Sequence, residues 1–380
     1  MTATTPPTAP APAPVISVVI PCFNYAQYVE GAIQSALSQP YAHKEVIVVN
    51  DGSTDDSLKI ISRHSHDVTI IDQTNQGSVA AYNCGFAASR GDLVIFLDAD
   101  DRLAPGALSQ IAEAWYPACA KVQYDLGIID GDGARLGAGQ GRRFCHFGAG
   151  YDAARVRASF HRTGTYRWPV TAGNAYARWF IQPLFPLDIP HGPDGTLNTV
   201  APVYGDVVTI PRILGFYRIH GANMWASDGL DQSRLPGRIQ HRRREVAFMR
   251  AHAARQGVAV PPTDVLDHEL PFLNYRLMAL KLGLDYQGRA ADSVAGLLRC
   301  AYRAVGAEAL PLKNRLAHLS WFLALALAPR AVTPRLIRLR FNRAAIFQSA
   351  ARAVSQSFAR GLAKSTPMRR PPAPAERRPQ

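Results

Sequence analysis

The sequence predicts an α/β fold: an open, mostly parallel, Rossmann-like sheet followed by a C-terminal helical extension. Three observations carry this. Short β-branched runs alternate with helical segments through the first 120 or so residues. The runs are apolar throughout, as strands covered by helices on both faces must be. Beyond about Ser227 the strand pattern gives way to helical, basic sequence.

Residues 15–20 (VISVVI) form a β-branched run closed by Pro21, which reads as a buried parallel strand. Residues 26–38 place Tyr28, Ile33, Ala36 and Leu37 on one helical face. A second strand over 45–49 ends at Asn50-Asp51-Gly52-Ser53, after which Thr54 or Asp55 can cap a helix to about Arg63. Residues 68–71 make a third strand and 77–89 a helix rich in Gly and Ala. Residues 93–97 make a fourth strand, ending in Asp98-Ala99-Asp100-Asp101. Four such repeats imply crossover connections and a parallel sheet. Ligands of these sheets bind beyond the carboxyl ends of the strands. The clusters at Cys22-Phe23-Asn24-Tyr25, Asn50-Asp51-Gly52-Ser53 and Asp98-Ala99-Asp100-Asp101 therefore converge on one crevice.

Residues 121–225 alternate apolar runs with many Gly and Pro, which predicts strands joined by long loops. Helices are expected from His241 to about Arg255, then over roughly 267–283, 289–305 and 312–328. The expected division is a leader without order over 1–14, a catalytic domain over 15–225, a helical basic extension over 226–350 and a basic tail over 351–380.

Charge is unevenly placed. Residues 311–380 carry 14 Lys and Arg against one acid, Glu376, which is the whole net charge of +13. The remaining body is neutral, so a nucleic-acid-binding core is not expected. Five cysteines without CxxC spacing argue against a zinc site or disulfide framework and fit a reducing compartment. The N-terminus has neither the basic nor the apolar region of a signal peptide, and no apolar stretch reaches the ~20 residues that span a bilayer. The expected location is cytoplasmic.

Three carboxylates within four residues, Asp98, Asp100 and Asp101, repel one another unless a cation sits among them. Hard oxygen ligands of this kind suit Mg²⁺ or Mn²⁺ held together with substrate phosphates. Read alone, the loop suits a helix start ahead of Pro105 equally well.

The runs SVVIPCFNYAQYVEGAIQSALSQ, KEVIVVNDGSTDDS and NQGSVAAYNCGFAASRGDLVIFLDADD occur in order over residues 15–118. Together they resemble the inverting family 2 glycosyltransferases of the GT-A fold. The later segments YRWPVTAGNAYARWF, GPDGTLNTVAPVYGDV and LGFYRIHGANM continue the resemblance to about residue 225. It implies a GT-A nucleotide-diphospho-sugar transferase fold. The implied reaction is a metal-dependent, inverting transfer of a sugar from a nucleotide-diphospho-sugar, UDP-linked first of all. The acceptor would be a hydroxyl of a glycan or lipid-linked saccharide in cell-surface polysaccharide synthesis.

The resemblance also implies roles. Asp51 would accept a hydrogen bond from the base, with Pro21, Asn24, Tyr25 and Gly52 around it, although Tyr25 suits simple helix-start packing equally well. Gly77 and Asn83 would pass the ribose and sugar. Tyr82 stands where an arginine commonly precedes that Asn. Asp98 would touch ribose or sugar, Asp100 would ligate the metal, and His220 would complete the metal site or meet the diphosphate, with Arg218 on phosphate charge. Asp194 would be the general base, with Asp188 and Asp206 as rivals. Trp168, Gly173 and Asn174 fall where the acceptor pocket is shaped, Trp168 as a sugar platform or a core residue.

Residues 316–343 pair an apolar segment with arginines, which suits either an interfacial helix on an anionic membrane or a helix packed on the body. A nucleotidyltransferase is a weaker reading, since the turn after the first strand lacks Gly, Lys and Arg. A non-catalytic scaffold binding nucleotide sugar or RNA is the other alternative.

Overall fold

The computed structural model describes residues 12–137, 143–148, 150–189, 192–220, 231–307 and 312–341. The tail expected over 351–380, the first eleven residues of the leader, His191 and the segment from Gly221 to Asn223 lie outside the described residues.

In chain order the elements are β1 (Ile16–Cys22), α1 (Val29–Leu37), β2 (Lys44–Asp51), α2 (Ser57–Ser62), β3 (Thr69–Gln73), α3 (Ser78–Ala88) and β4 (Leu93–Phe96). Then come β5 (Arg102–Leu103), α4 (Ala107–Ala114), β6 (Cys119–Ile129), β7 (Arg143–Cys145) and α5 (Ala153–Thr163). They are followed by β8 (Asn174–Ala177), α6 (Arg178–Ile181), α7 (Asp194–Tyr204) and β9 (Asp206–Arg218). Five helices complete the described chain: α8 (Leu235–Arg255), α9 (Leu270–Leu282), α10 (Val294–Ala307), α11 (Leu312–Leu327) and α12 (Thr333–Phe341).

The strands build one sheet in the order β3-β2-β1-β4-β8-β6-β9-β5, with β7 added to β6. β1 lies parallel between β2 and β4, placing Val18 beside Val46 and Ile95. Ile16, Val18, Val19 and Ile20 are wholly buried because helices cover both faces. α1 turns Val29, Ala32, Ile33 and Ala36 onto the sheet at helical spacing. α3 approaches so closely that a Cβ on Gly85 would fall 2.3 Å from Val19 Cγ1, so only glycine fits there.

The parallel pairing expected from the repeats describes β1 to β4. The second half adds antiparallel contacts of β8 with β4 and β6, β7 with β6, and β5 with β9, while β6 and β9 run parallel. Three helices, α5, the one-turn α6 and α7, stand where strands and long loops were expected. α5 carried a readable signal: Asp152 caps it by accepting from Arg155 N at 2.9 Å, and Gly164 closes it in the left-handed conformation. α7 did not, because Asp, Gly, Thr, Val and Pro202 are poor helix formers. Burial holds it instead, with Gly195 through Ala201 all inaccessible. α8 begins six residues before His241, and α12 was not anticipated.

The C-terminal helices are fastened to the body by a buried charge cluster. Arg242, 1% exposed, donates to Glu269 from Nε (2.9 Å) and Nη2 (2.6 Å). Its Nη1 donates to Glu245 Oε2 (2.9 Å) and to Thr199 of α7 (2.5 Å). Thr165 donates to the same Glu269 at 2.7 Å. One side chain thus joins α7, α8 and the start of α9.

Candidate functional site

The loops after β1 and β2 are laced together. Asn24, held in the left-handed region at φ 57°, accepts from Thr54 N at 2.7 Å, and its own amide donates to Ser53 Oγ. Tyr25 N donates to Ser57 Oγ and Ala26 N to Asp55 Oδ2. Pro21 sits at the end of β1, directly beside Val49. Asp51, 2% exposed, closes the next turn by accepting from Gln73 Nε2 (2.7 Å), Gln76 N (2.9 Å) and Gly77 N (2.9 Å). Gly52 and Gly77 both take positive φ, and a Cβ on Gly52 would fall 2.5 Å from Asn75 N. Asn83, one turn along α3, clamps the backbone of Leu187 through both ends of its amide.

The acidic motif lies at the end of β4. Asp98 is hydrogen-bonded by the Tyr82 hydroxyl. Burial, with the charges of Asp100 and Asp194 adding, pushes its carboxyl up to about 7. Asp100 Oδ2 stands 2.9 Å from His220 Nε2, and the His220 ring stacks on Tyr28 (4.9 Å, 30°) and meets Tyr25 edge-on (6.0 Å). Asp101, 1% exposed, accepts from Arg218 N at 2.9 Å, and burial and its two acidic neighbours raise its pKa well above the usual range. Arg218 is equally buried. Its guanidinium donates to the carbonyls of Asp100, Asp130 and Gly131 and lies over the Tyr28 ring, so it knits the loop from behind.

Asp194 opens α7, not a loop. Its Oδ1 would lie 3.7 Å from a Cβ on Gly192, which would also sit 3.9 Å from Tyr82 Cε2. Tyr82 therefore stands close to both Asp98 and Asp194. Burial, and then the charge of Glu245, push the Asp194 carboxyl up to about 7. Glu245 leans on the next residue: a Cβ on Gly195 would fall 1.8 Å from its Oε1. The rivals lie apart in their bonding, Asp206 pairing with Tyr116 and Arg157 while Asp188 is exposed.

Of the expected acceptor residues, Asn174 is wholly buried, accepts from Lys121 Nζ at 3.1 Å and donates to backbone carbonyls of 169–171. Gly173 is buried beside Pro169, where a Cβ would fall 2.6 Å away. Trp168 is half-buried with Arg242 over its ring at 5.5 Å. Lys121 also reaches Asn198 of α7 at 2.7 Å, and its burial lowers its pKa well below the usual value.

Sequence reasoning missed Tyr82 as a partner of Asp98, and it missed Glu245 and Arg242 entirely. A helical Tyr four turns' worth of sequence before an acidic motif carries no signal of contact. Glu245 and Arg242 both lie on the helix expected from His241, but its sequence does not show which face is buried.

Among the described residues no group of three His, Cys, Asp or Glu side chains is arranged to hold a metal ion. Asp100 and His220 offer two donors, which fits a cation held by one or two protein groups with substrate phosphates supplying the rest.

The polar loops and the acidic motif thus sit at the carboxyl ends of the strands, where open α/β sheets bind their ligands. Residues 17–167 match the family described as Glycosyl transferase family 2, so this part of the chain is a domain of that family. That segment is a glycosyltransferase domain, built on the open α/β sheet described above. A glycosyltransferase of Nostoc sp. is 36% identical over 219 residues, 55% of this chain and 66% of that one. Chondroitin synthase of Escherichia coli is 39% identical over 98 residues, 25% of this chain and 14% of its own. A solved mannosyltransferase of Pyrobaculum calidifontis, in complex with GDP-Man and Mn²⁺, aligns over 86% of this chain and 85% of its own, at 18% identity and TM-score 0.47. The chain covers no more than 66% of these curated relatives' length.

Proposed function

We propose that the chain transfers a sugar from a nucleotide-diphospho-sugar, UDP-linked first of all, to a hydroxyl of a growing glycan or lipid-linked saccharide, with inversion at the anomeric carbon. The observation that carries this reading is the gathering of Asp98, Asp100 and Asp194 around Tyr82 at one end of the sheet. The similarity to chondroitin synthase supports a polysaccharide product.

In this reading Asp51 and the loop from Pro21 to Tyr25 receive the base, with Gly52 and Gly77 leaving room for close backbone approach. Asn83 sets the 187 loop beside the sugar, and Asp98 accepts from a sugar or ribose hydroxyl. Asp194 takes the proton from the acceptor hydroxyl as its oxygen bonds to the anomeric carbon and the bond to the diphosphate breaks. Asp100 and His220 would hold a divalent cation, Mg²⁺ or Mn²⁺, which neutralises charge on the departing diphosphate. Arg218 fixes the loop that carries them.

The test is nucleotide release from a panel of nucleotide sugars with Mg²⁺, Mn²⁺ or EDTA, beside UDP binding by calorimetry. We expect metal-dependent turnover of one donor, lost in Asp100→Ala. Absence of any metal-dependent UDP binding would overturn the site.

We place the enzyme at the cytoplasmic face of an anionic membrane. Among the described residues no helix is long and apolar enough to cross one. α11 buries Trp321, Phe322 and Leu325 against the body and exposes Leu312 (71%), Leu316 (58%), Leu323 (52%) and Leu327 (74%) along the opposite stripe. Lys313, Arg330, Arg335 and Arg338 are exposed around it, with no acid from 312 to 341. Each such cation near an anionic surface adds ~1 kcal/mol. The full chain should therefore float with phosphatidylglycerol vesicles at low salt and not with phosphatidylcholine alone. Replacing Leu316 and Leu323 by Asp should abolish flotation; unchanged flotation would refute this stripe as the contact.

A further inference from the structure

A cavity of about 420 Å³ opens between α7, α8 and the 187–189 segment. That lies toward the small end of ligand pockets, which run from roughly 300 to 1,000 Å³. Its apolar wall is Ile189 and Phe248, both half-buried, and its floor is Thr196, His241 and Glu245. The floor is close to the chemistry. Thr196 is two residues past Asp194 on the same helix, and Glu245 presses on Gly195.

The charges of the cavity are not equivalent. Glu245 is already held, by Arg242 at 2.9 Å and by His241 at 3.1 Å. Arg244 also lines the cavity, is exposed, and makes no hydrogen bond or ion pair with any described residue. Its neighbours in sequence differ: Arg242 is sealed in the ion cluster, and Arg243 is bound to Gln287 O and Asp264. Asp188, exposed on the rim, is likewise without a partner among the described residues.

We propose that this cavity is an acceptor subsite for a sugar ring bearing an anionic group, a carboxylate or a phosphate, and that Arg244 is the residue that reads that charge. The inference rests on Asp194 being the general base, since it places the cavity next to the reacting hydroxyl. A pyranose presents an apolar face, hydroxyls and here one anion. Phe248 and Ile189 meet the first, Asp188 accepts from the second, and the planar fork of Arg244 suits the third. The subsite is built by α8 together with the 188–196 stretch, so acceptor choice would be encoded outside residues 17–167, which match the family.

The test is binding of three small probes, D-glucuronate, D-glucose 6-phosphate and D-glucose, to the full chain by ligand-observed NMR. At least one anion should bind about tenfold more tightly than glucose, as a charge-assisted hydrogen bond provides. Which anion does so separates carboxylate from phosphate as the source. Arg244→Gln should remove the preference and leave glucose binding unchanged. Equal affinity for all three probes, or a preference that survives Arg244→Gln, would overturn the proposal. Asp194→Asn should bind the probes as the natural chain does. Retained turnover in that variant would sink the base while leaving the subsite standing.

Discussion

Arg242→Met is expected to destabilise the protein by about 3–5 kcal/mol, because it strands Glu245 and Glu269 as buried charges without their common partner. The guanidinium is 1% exposed and its hydrogen bonds reach three segments, so water cannot take its place. Urea unfolding of the purified chain would measure the loss. The triple change Arg242→Met, Glu245→Gln and Glu269→Gln should recover much of it, since no unpaired charge then remains. A single variant as stable as the natural protein would show that the cluster is solvated. The catalytic and helical parts should also melt together, because the same side chain touches both.

The second large effect falls on turnover. Asp194→Asn should lower kcat by about 10²–10⁴, the usual contribution of a positioned base, with donor binding little changed. The natural enzyme should show an acid limb in kcat/KM near pH 7, since only the ionised Asp194 can accept a proton and its pKa is pushed up to about 7. Stability carries the opposite sign. A carboxyl whose pKa is higher folded than unfolded stabilises the fold while protonated, below its ordinary 3.8, and that contribution disappears as pH rises through about 7. Asp194→Asn should therefore match the natural chain near pH 4 and exceed it in melting temperature at pH 8. An activity limb unmoved from the usual carboxylate range would refute Asp194 as the base.

Much of this arrangement was legible in the residues. The apolar runs at 15–20, 45–49 and 93–97 located three strand ends to within two residues, because a strand buried on both faces must be apolar throughout. Asp100 and His220, 120 positions apart in the chain, do meet. What escaped was set by tertiary packing. α7 has weak intrinsic helix preference and is held by burial, with Lys121 and Arg242 gripping it through Asn198 and Thr199. Arg218 looked like a phosphate ligand in YRIHG, yet its guanidinium faces backbone carbonyls inside the loop. Sequence shows that a charge is present; burial decides what it is for.

The lacing of the first two strand-end loops bears on how a ligand is selected. The side chains of Asn24, Ser53, Asp55 and Ser57 accept from the backbone amides of Thr54, Asn24, Ala26 and Tyr25, and Asp51 already holds the amides of Gln76 and Gly77. The seat is thus preorganised, with little conformational freedom left to surrender on binding. Discrimination on that side should act like a fixed gauge, rejecting a misfit at first contact without any remodelling of the loop.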